Sequence, residues 1–300
     1  MKIRLIQLSI FVAMFVSNVS HADDWNIRDH IPLDEITVQS HRGAGMTAPE
    51  NSLKTFEMGW NWGTIPEADI RASKDGVIVA FHDNNFKRIL PDAPEEMQKK
   101  DVHDLTFEEL RKIDIGAFRG EAFAGQIIPS IAEIVEQLKT HPKRRVYLDV
   151  KSHVDLTQLA KETEGVHPQL ILASTNYAIL KDWKKIAPTA QTLHWMGGTE
   201  EALQKRLDDL EKVKFADIDQ LQIHVHIAKD KTVSPSEVFL KKQGEVLRNY
   251  GVLYQVFPWE SQDPEVFWRM MDLGVASFTT DYPEPTMKAI RDYYEQKDKK

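Results

Sequence analysis

The stretch PEADIRASKDGVIVAFHD (66–83) sets Glu67, Asp69 and Arg71 at alternate positions, turns at Lys74-Asp75-Gly76, and returns to His82-Asp83. In an extended strand, side chains at i, i+2 and i+4 share one face. Two acids and a base would therefore stand together while Ala68, Ile70 and Ala72 back onto a core. Asp75-Gly76 is a strong hairpin signal, and the returning VIVAFHD brings His82 toward the acids. Alone, this alternation also describes an exposed hairpin with a solvated charged face. A second alternating run, RRVYLDVKS (144–152), puts Asp149 and Lys151 opposite Val146, Leu148 and Val150, and an earlier run ends in His41-Arg42-Gly43. Glu67, Asp69 and Asp149 gathered in one place make a hard oxygen site for one divalent ion, Mg²⁺ before Ca²⁺, with water and substrate oxygens completing the shell. Thiolate is absent and no two-histidine helix motif occurs, which disfavours zinc. His41 and His82 beside such a site suit general acid–base chemistry on a phosphate ester, with Arg42 and Lys151 holding the phosphate. A competing reading pairs Glu67 and Asp149 with Arg42 and Lys151 in salt bridges and binds no metal. Buried carboxylates require one partner or the other.

These residues need a scaffold that brings distant strand ends together. Eight short apolar runs read as strands: 36–41, 66–72, 144–152, 169–174, 191–197, 220–227, 252–257 and 275–281. Amphipathic segments between them read as helices, with Asn51, Thr199 and Ser236 as candidate caps and Pro264 in a first turn. Strand-then-helix alternation of this count predicts an α/β fold, a (β/α)8 TIM barrel. No Gly-rich fingerprint follows the first strand to favour an open doubly wound sheet. In such a barrel active sites lie at the C-terminal ends of the strands, where His41, Glu67, Asp69, Asp149, Lys151 and Asp281 fall. Residues 77–129 interrupt the pattern, and the polar part, about 84–127, reads as a small insertion after the second strand on the catalytic face. His224 and His226 alternate with Ile223, Val225 and Ile227; with His194 on the fifth strand they are expected to face the lumen, as pocket lining or hydrogen-bonded filling, with ligation of a second metal as the alternative. Glu50-Asn51 reads as organising the first helix start rather than as chemistry. The aromatic residues of VFWRMMDLG have helical spacing and read as core.

The chain has 300 residues and a net charge of −8, with no basic tract, which argues against a nucleic-acid partner. Lys2 and Arg4, then the apolar run 5–16, then Ser20-His21-Ala22 read as a signal peptide over 1–22, leaving one barrel domain over 23–300. An apolar run of about 12 residues is too short for a stable membrane anchor. Loss of Lys2 and Arg4, with no acid, would take the charge from −8 to −10. Without cysteine there is no disulfide and no lipobox. The expected setting is bacterial, periplasmic or secreted; the oligomeric state is not legible.

Taken jointly, HRGAGMTAPENSLKTF (41–56), PEADIRASKDGVIVAFHD (66–83), VHDLTFEELRKIDIG (102–116), IPSIAEI (128–134), LDVK (148–151) and GVASFTTDYPE (274–284) resemble the glycerophosphodiester phosphodiesterase family. The resemblance covers nearly the whole chain beyond the leader. It implies a barrel with a small insertion after the second strand, with His41 and His82 as the acid–base pair. It further implies that Arg42 and Lys151 contact phosphate and that Glu67, Asp69 and Asp149 bind the metal. The family usually has Glu at the place of Asp149, and FPWE stands here where a WTVN-like segment is usual, so Trp259 is displaced within the pocket for the alcohol. The activity implied is metal-dependent hydrolysis of small glycerophosphodiesters to glycerol 3-phosphate and an alcohol, with His41 as base of the first step and His82 as acid. The alternatives are the same fold acting on another donor, of sphingomyelinase D-like or sugar/teichoic-acid type, and a catalytically silent phosphate-binding barrel.

Overall fold

In chain order α1 (Ile27–His30) precedes β1 (Thr37–Ser40), α2 (Leu53–Asn61), β2 (Ile65–Ala72) and the hairpin strand β3 (Ile78–Ala80) in the computed structural model, which describes residues 25–296. The short helices α3 (Glu95–Lys99) and α4 (Phe107–Leu110) follow. Regular alternation then runs through α5 (Ile131–Thr140), β4 (Val146–Val150), α6 (Leu156–Glu162), β5 (Leu170–Ser174), α7 (Tyr177–Ile186), β6 (Gln191–Met196) and α8 (Glu200–Lys212). It closes with β7 (Gln220–Ile227), the short β8 (Val233–Ser234), α9 (Glu237–Asn249), β9 (Leu253–Pro258), α10 (Pro264–Asp272), β10 (Ser277–Thr280) and α11 (Pro283–Glu295). The expected leader over 1–22 and the KDKK tail lie outside the described residues.

Eight strands pair in parallel in the order β1-β10-β9-β7-β6-β5-β4-β2, and β2 pairs back onto β1, so the sheet closes. Strand β3 is antiparallel to β2, and β8 to β7. This is a (β/α)8 barrel. Thr199 and Ser236 cap α8 and α9 as expected, and Pro264 opens α10. The expected Asn51 cap is corrected: Ser52 caps α2, accepting from the Thr55 amide, because Asn51 is drawn into the barrel mouth. Of the two aromatic residues of α10 expected in the core, Phe267 is fully buried and Trp268 is partly buried, packed against that core.

Both faces of each barrel strand are buried, but differently. Outward residues such as Ile70, Leu148, Leu172 and Val256 join the helices in one continuous apolar cluster. Inside the barrel, Tyr147, Ile171, Ala173 and Leu193 form a small apolar patch on the β4–β6 side. The opposite side is a polar lattice. Gln255 donates to Ser277 Oγ at 2.9 Å, Tyr147 donates to Gln220 Oε1 at 2.8 Å, and Gln39 donates to Glu67 Oε2 at 2.9 Å. Buried amides require such partners, and the lattice in turn orients the first acid of the site.

The excursion after β3 carries its own apolar cluster, including Val79, Phe81, Phe86, Ile89, Leu110 and Ile115. Its root is tied down by Arg71, which donates to the His82 carbonyl (2.9 and 2.5 Å) and to Ser152 Oγ at 2.6 Å. Glu67, Asp69 and Arg71 are each at most 6% exposed, so the alternating charges are not a solvated face.

Candidate active site

The register places the acids. Strands β2 and β4 are neighbours with Asp69 opposite Asp149, so the alternation within each strand aims Glu67, Asp69 and Asp149 at one spot. One carboxylate oxygen from each lies within 4.8 Å of the others, and all three residues are buried. Lys151 sits among them, donating to Asp149 Oδ2 with its Nζ 3.0 Å from Asp69 Oδ1. Trp195 Nε1–H donates to Asp149 Oδ1 at 3.0 Å. Both partners considered for the buried acids are thus compatible: Lys151 is present, Arg42 Nε lies 3.9 Å from Asp69 Oδ2, and two cations do not neutralise three carboxylates. Asp149 shows the imbalance. Burial first, with the Glu67 and Asp69 charges and against Lys151, pushes its carboxyl up to about 6. Asp69 is held well below the usual carboxylate range: burial raises it, but Lys151, His82, Arg42 and the Asn51 bond outweigh that. Asp69 Oδ1 is buried and accepts no hydrogen bond of good geometry. A buried, underneutralised cluster of carboxylate oxygens fits a hard divalent cation.

Asn51 was misjudged at the sequence level. It donates from Nδ2 to Asp69 Oδ2 at 2.7 Å and accepts the Asp69 amide at 2.9 Å. Glu50 likewise belongs to the site, accepting from Arg42 at 3.1 Å and from Arg88 at 2.6 and 2.7 Å.

His41 follows β1, and its Nδ1–H donates to Asp281 Oδ1 at 2.7 Å, just past the end of β10. The tight turn HRGAG makes this pairing possible. Gly45 has φ +60, and a Cβ there would lie 2.1 Å from the Asp281 carbonyl oxygen, which accepts the Met46 amide at 2.7 Å. Burial pulls the His41 imidazole down, but the Asp281 bond and the Glu67 charge raise it above its ordinary value overall. Burial raises the Asp281 carboxyl, but its bond and attraction to His41 outweigh that and hold it below its ordinary value. Asp281 was noted in the sequence only as a strand end.

His82 reaches the site from the hairpin. Its Nδ1 is 2.6 Å from Asp83 Oδ1 and its Nε2 is 2.9 Å from Arg42 Nη2. A guanidinium only donates and a carboxylate only accepts. His82 is therefore neutral in this arrangement, with its proton on Nδ1 and its lone pair on Nε2. Asp83 is held by Arg88 at 2.8 Å.

Around these groups lies a cavity of about 170 Å³ lined by His41, Arg42, Glu67, His82, Asp149 and Lys151, and closed on its far side by Trp195, His224, Phe257 and Trp259. His224 stacks on Trp195 at 5.2 Å and donates from Nε2–H to Gln222 Oε1 at 3.0 Å. Burial, then the positive charges around it, lowers His224 to about 4, so it is a neutral wall. Two expected lining residues are corrected. His194 points outward, bonding the Ser174 carbonyl at 3.0 Å beside Arg206, because Leu193 and Trp195 take the lumen face of β6. His226 is exposed at the rim, stacked on Trp259 at 6.2 Å, because β7 has left the barrel mouth by that residue.

Similarity to known proteins agrees with this geometry. Residues 41–285 match the Glycerophosphoryl diester phosphodiesterase family. A glycerophosphodiester phosphodiesterase of Caldanaerobacter subterraneus is 28% identical over 85% of this chain and 97% of its own. The fold is shared with the crystal structure of glycerophosphodiester phosphodiesterase from Agrobacterium tumefaciens, at 21% identity and TM-score 0.65 over 84% of this chain and 99% of that one. It is shared too with an Oleispira antarctica phosphodiesterase solved in complex with the product sn-glycerol-3-phosphate, at 22% identity and TM-score 0.62 over 85% and 96% of the two chains. Among the described residues no helix is long and apolar enough to cross a membrane. The chain belongs to the glycerophosphoryl diester phosphodiesterase family and is a phosphoric diester hydrolase.

Proposed function

We propose that the protein hydrolyses glycerophosphodiesters to glycerol 3-phosphate and an alcohol with the help of one divalent ion. The observation that carries this reading is the buried cluster of Glu67, Asp69 and Asp149 directly beside two histidine–aspartate pairs. The three carboxylates would hold Mg²⁺, or Ca²⁺ in second place. When bound, the ion supplies charge neutralisation at a phosphate oxygen.

The remaining chemistry falls to side chains. Arg42 and Lys151 bind the phosphate. As Arg42 turns to the phosphate it releases His82 Nε2, whose lone pair takes the proton of the glycerol hydroxyl next to the ester. That hydroxyl oxygen attacks phosphorus and the bond to the alcohol breaks. The departing alkoxide takes a proton from His41 Nε2, the imidazolium being held by Asp281. The resulting cyclic phosphate is opened by water: His41 accepts the water proton, and His82 returns its proton to the glycerol oxygen. This order reverses the assignment made from sequence. Its support is the raised affinity of His41 for its proton, beside Asp281 and Glu67, set against the Arg42 donor occupying Nε2 of His82.

The test is a coupled assay for glycerol 3-phosphate with and without EDTA. Release that stops with EDTA and returns with Mg²⁺ supports the reading. Release unaffected by EDTA removes the metal from it, and no release from any glycerophosphodiester removes the reading itself.

A further inference from the structure

A second cavity, of about 400 Å³, adjoins the first. The two share His41, Arg42 and Trp259 as a common wall. His82, Glu67, Asp149 and Lys151 border only the inner one, whereas Asp281, Arg119 and Glu260 border only the outer one. A phosphorus atom at the common wall would send one ester arm into each cavity. The inner cavity is small, is bordered by Glu67, Asp149 and His82, and suits the three-carbon arm whose hydroxyl gives up its proton. The other arm must leave on the side of the group that protonates it, and His41 is the histidine that faces the outer cavity.

The charges lining the outer cavity are largely paired. Arg88 is bound to Glu50 and Asp83, Arg42 to Glu50, and Asp281 to His41. Two groups are left. The Glu260 carboxylate has no ion-pair or hydrogen-bond partner among the described residues; only its backbone amide is engaged, donating to Asp281 Oδ2 at 3.3 Å. Arg119 donates to the Met46 carbonyl at 2.6 Å and lies 6.0 Å from the Phe118 ring, without a carboxylate partner among the described residues. One comes from the loop after β9 and the other from the excursion after β3, and both line the cavity. A neutral polyol would match neither group. A simple amine would match Glu260 alone.

Resting on the hydrolysis proposed above, we infer that the outer cavity is the subsite for the leaving alcohol. It takes an alcohol bearing both an ammonium and a carboxylate, with Glu260 and Arg119 as the specificity-determining residues. The experiment measures kcat/KM of the full-length protein and of Glu260→Gln and Arg119→Gln on glycerophosphoserine, glycerophosphoethanolamine and glycerophosphoglycerol. Exposed charge pairs of this kind give about fivefold effects. Glu260→Gln should lower the serine-to-glycerol and ethanolamine-to-glycerol selectivity ratios by about fivefold. Arg119→Gln should lower the serine-to-glycerol ratio by about the same and leave the ethanolamine ratio within twofold. Thermal melts of both variants check folding, and a selectivity ratio is insensitive to the fraction of active protein. Ratios unchanged in both variants, or shifted alike for all headgroups, overturn the subsite while the hydrolysis stands. A wild type inert toward all three diesters overturns the hydrolysis and the subsite with it.

Discussion

His41 and His82 are each paired with an aspartate through Nδ1, yet they sit in two unlike regions. His41 belongs to the barrel. Its partner Asp281 is 240 positions away, brought beside it only because β1 and β10 close the sheet, and their side chains are 14% and 6% exposed. His82 belongs to the root of the excursion. Its partner is the next residue, held in turn by Arg88, and these side chains are 29% and 24% exposed. The second neighbour distinguishes them. His41 stands near the Glu67 charge, which favours a proton. His82 has the Arg42 guanidinium on Nε2, which excludes one there. The same dyad thereby meets opposite neighbours, a carboxylate charge near one histidine and a guanidinium at the other, an asymmetry that a reaction needing one acid and one base can use.

The comparison breaks most visibly in the histidines themselves. His41→Ala and His82→Ala should each lower kcat on an alkyl diester by about 10²–10⁴-fold. On a p-nitrophenyl diester, whose leaving group hardly needs a proton, His41→Ala should recover most activity and His82→Ala should not. Recovery in the His82 variant instead would restore the order first assigned from sequence.

The aspartates should differ next. Asp281→Asn should reduce kcat about 10- to 100-fold, as losses of buried orienting partners do, and Asp83→Asn about two- to fivefold, because water can replace part of its role. The pH profile separates positioning from mere damage. Activity that needs protonated His41 falls as pH rises through its raised pKa, so Asp281→Asn should move that limb to lower pH. The stability linked to the pair follows the same signs. The His41 contribution is complete below about 6.5, its unfolded value, and is lost as pH rises through the higher folded value. The Asp281 contribution is present above its unfolded value near 3.9 and lost as pH falls through the lower folded one. Thermal melts across pH should show Asp281→Asn flattening both limbs.

Between the two stations lies the carboxylate cluster. With the Asp149 carboxyl at about 6, metal titrations should show affinity weakening below about pH 6, by up to about tenfold per pH unit, as the ion must displace a proton. Asp149→Asn should remove that dependence, and Asp149→Glu should retain binding. An effect as small as that of Asp83→Asn is expected at Arg88, whose removal loosens Glu50 and Asp83 together; Arg88→Gln should cost about two- to fivefold in kcat.

The barrel and the makeup of its mouth are legible in the order of residues along the chain. Period-two alternation is a property of each strand alone, so the common face of Glu67 and Asp69, and that of Asp149 and Lys151, follows from spacing. The Asp75-Gly76 turn returns His82 by local geometry. Whatever depends on neighbours far along the chain is set by the folded arrangement. Asp281 meets His41 through sheet closure, and Asn51 leaves its helix cap to grip Asp69 across the barrel mouth. The same holds for the phase of β6. Both faces of a barrel strand are buried, so polarity does not say which is the lumen. His194 fits the outward face because β6 lies against the apolar part of the lumen, where Leu193 and Trp195 pack beside Ile171 and Ala173. The protonation of the two histidines is decided last of all, since it depends on which charge each Nε2 and its surroundings meet in space.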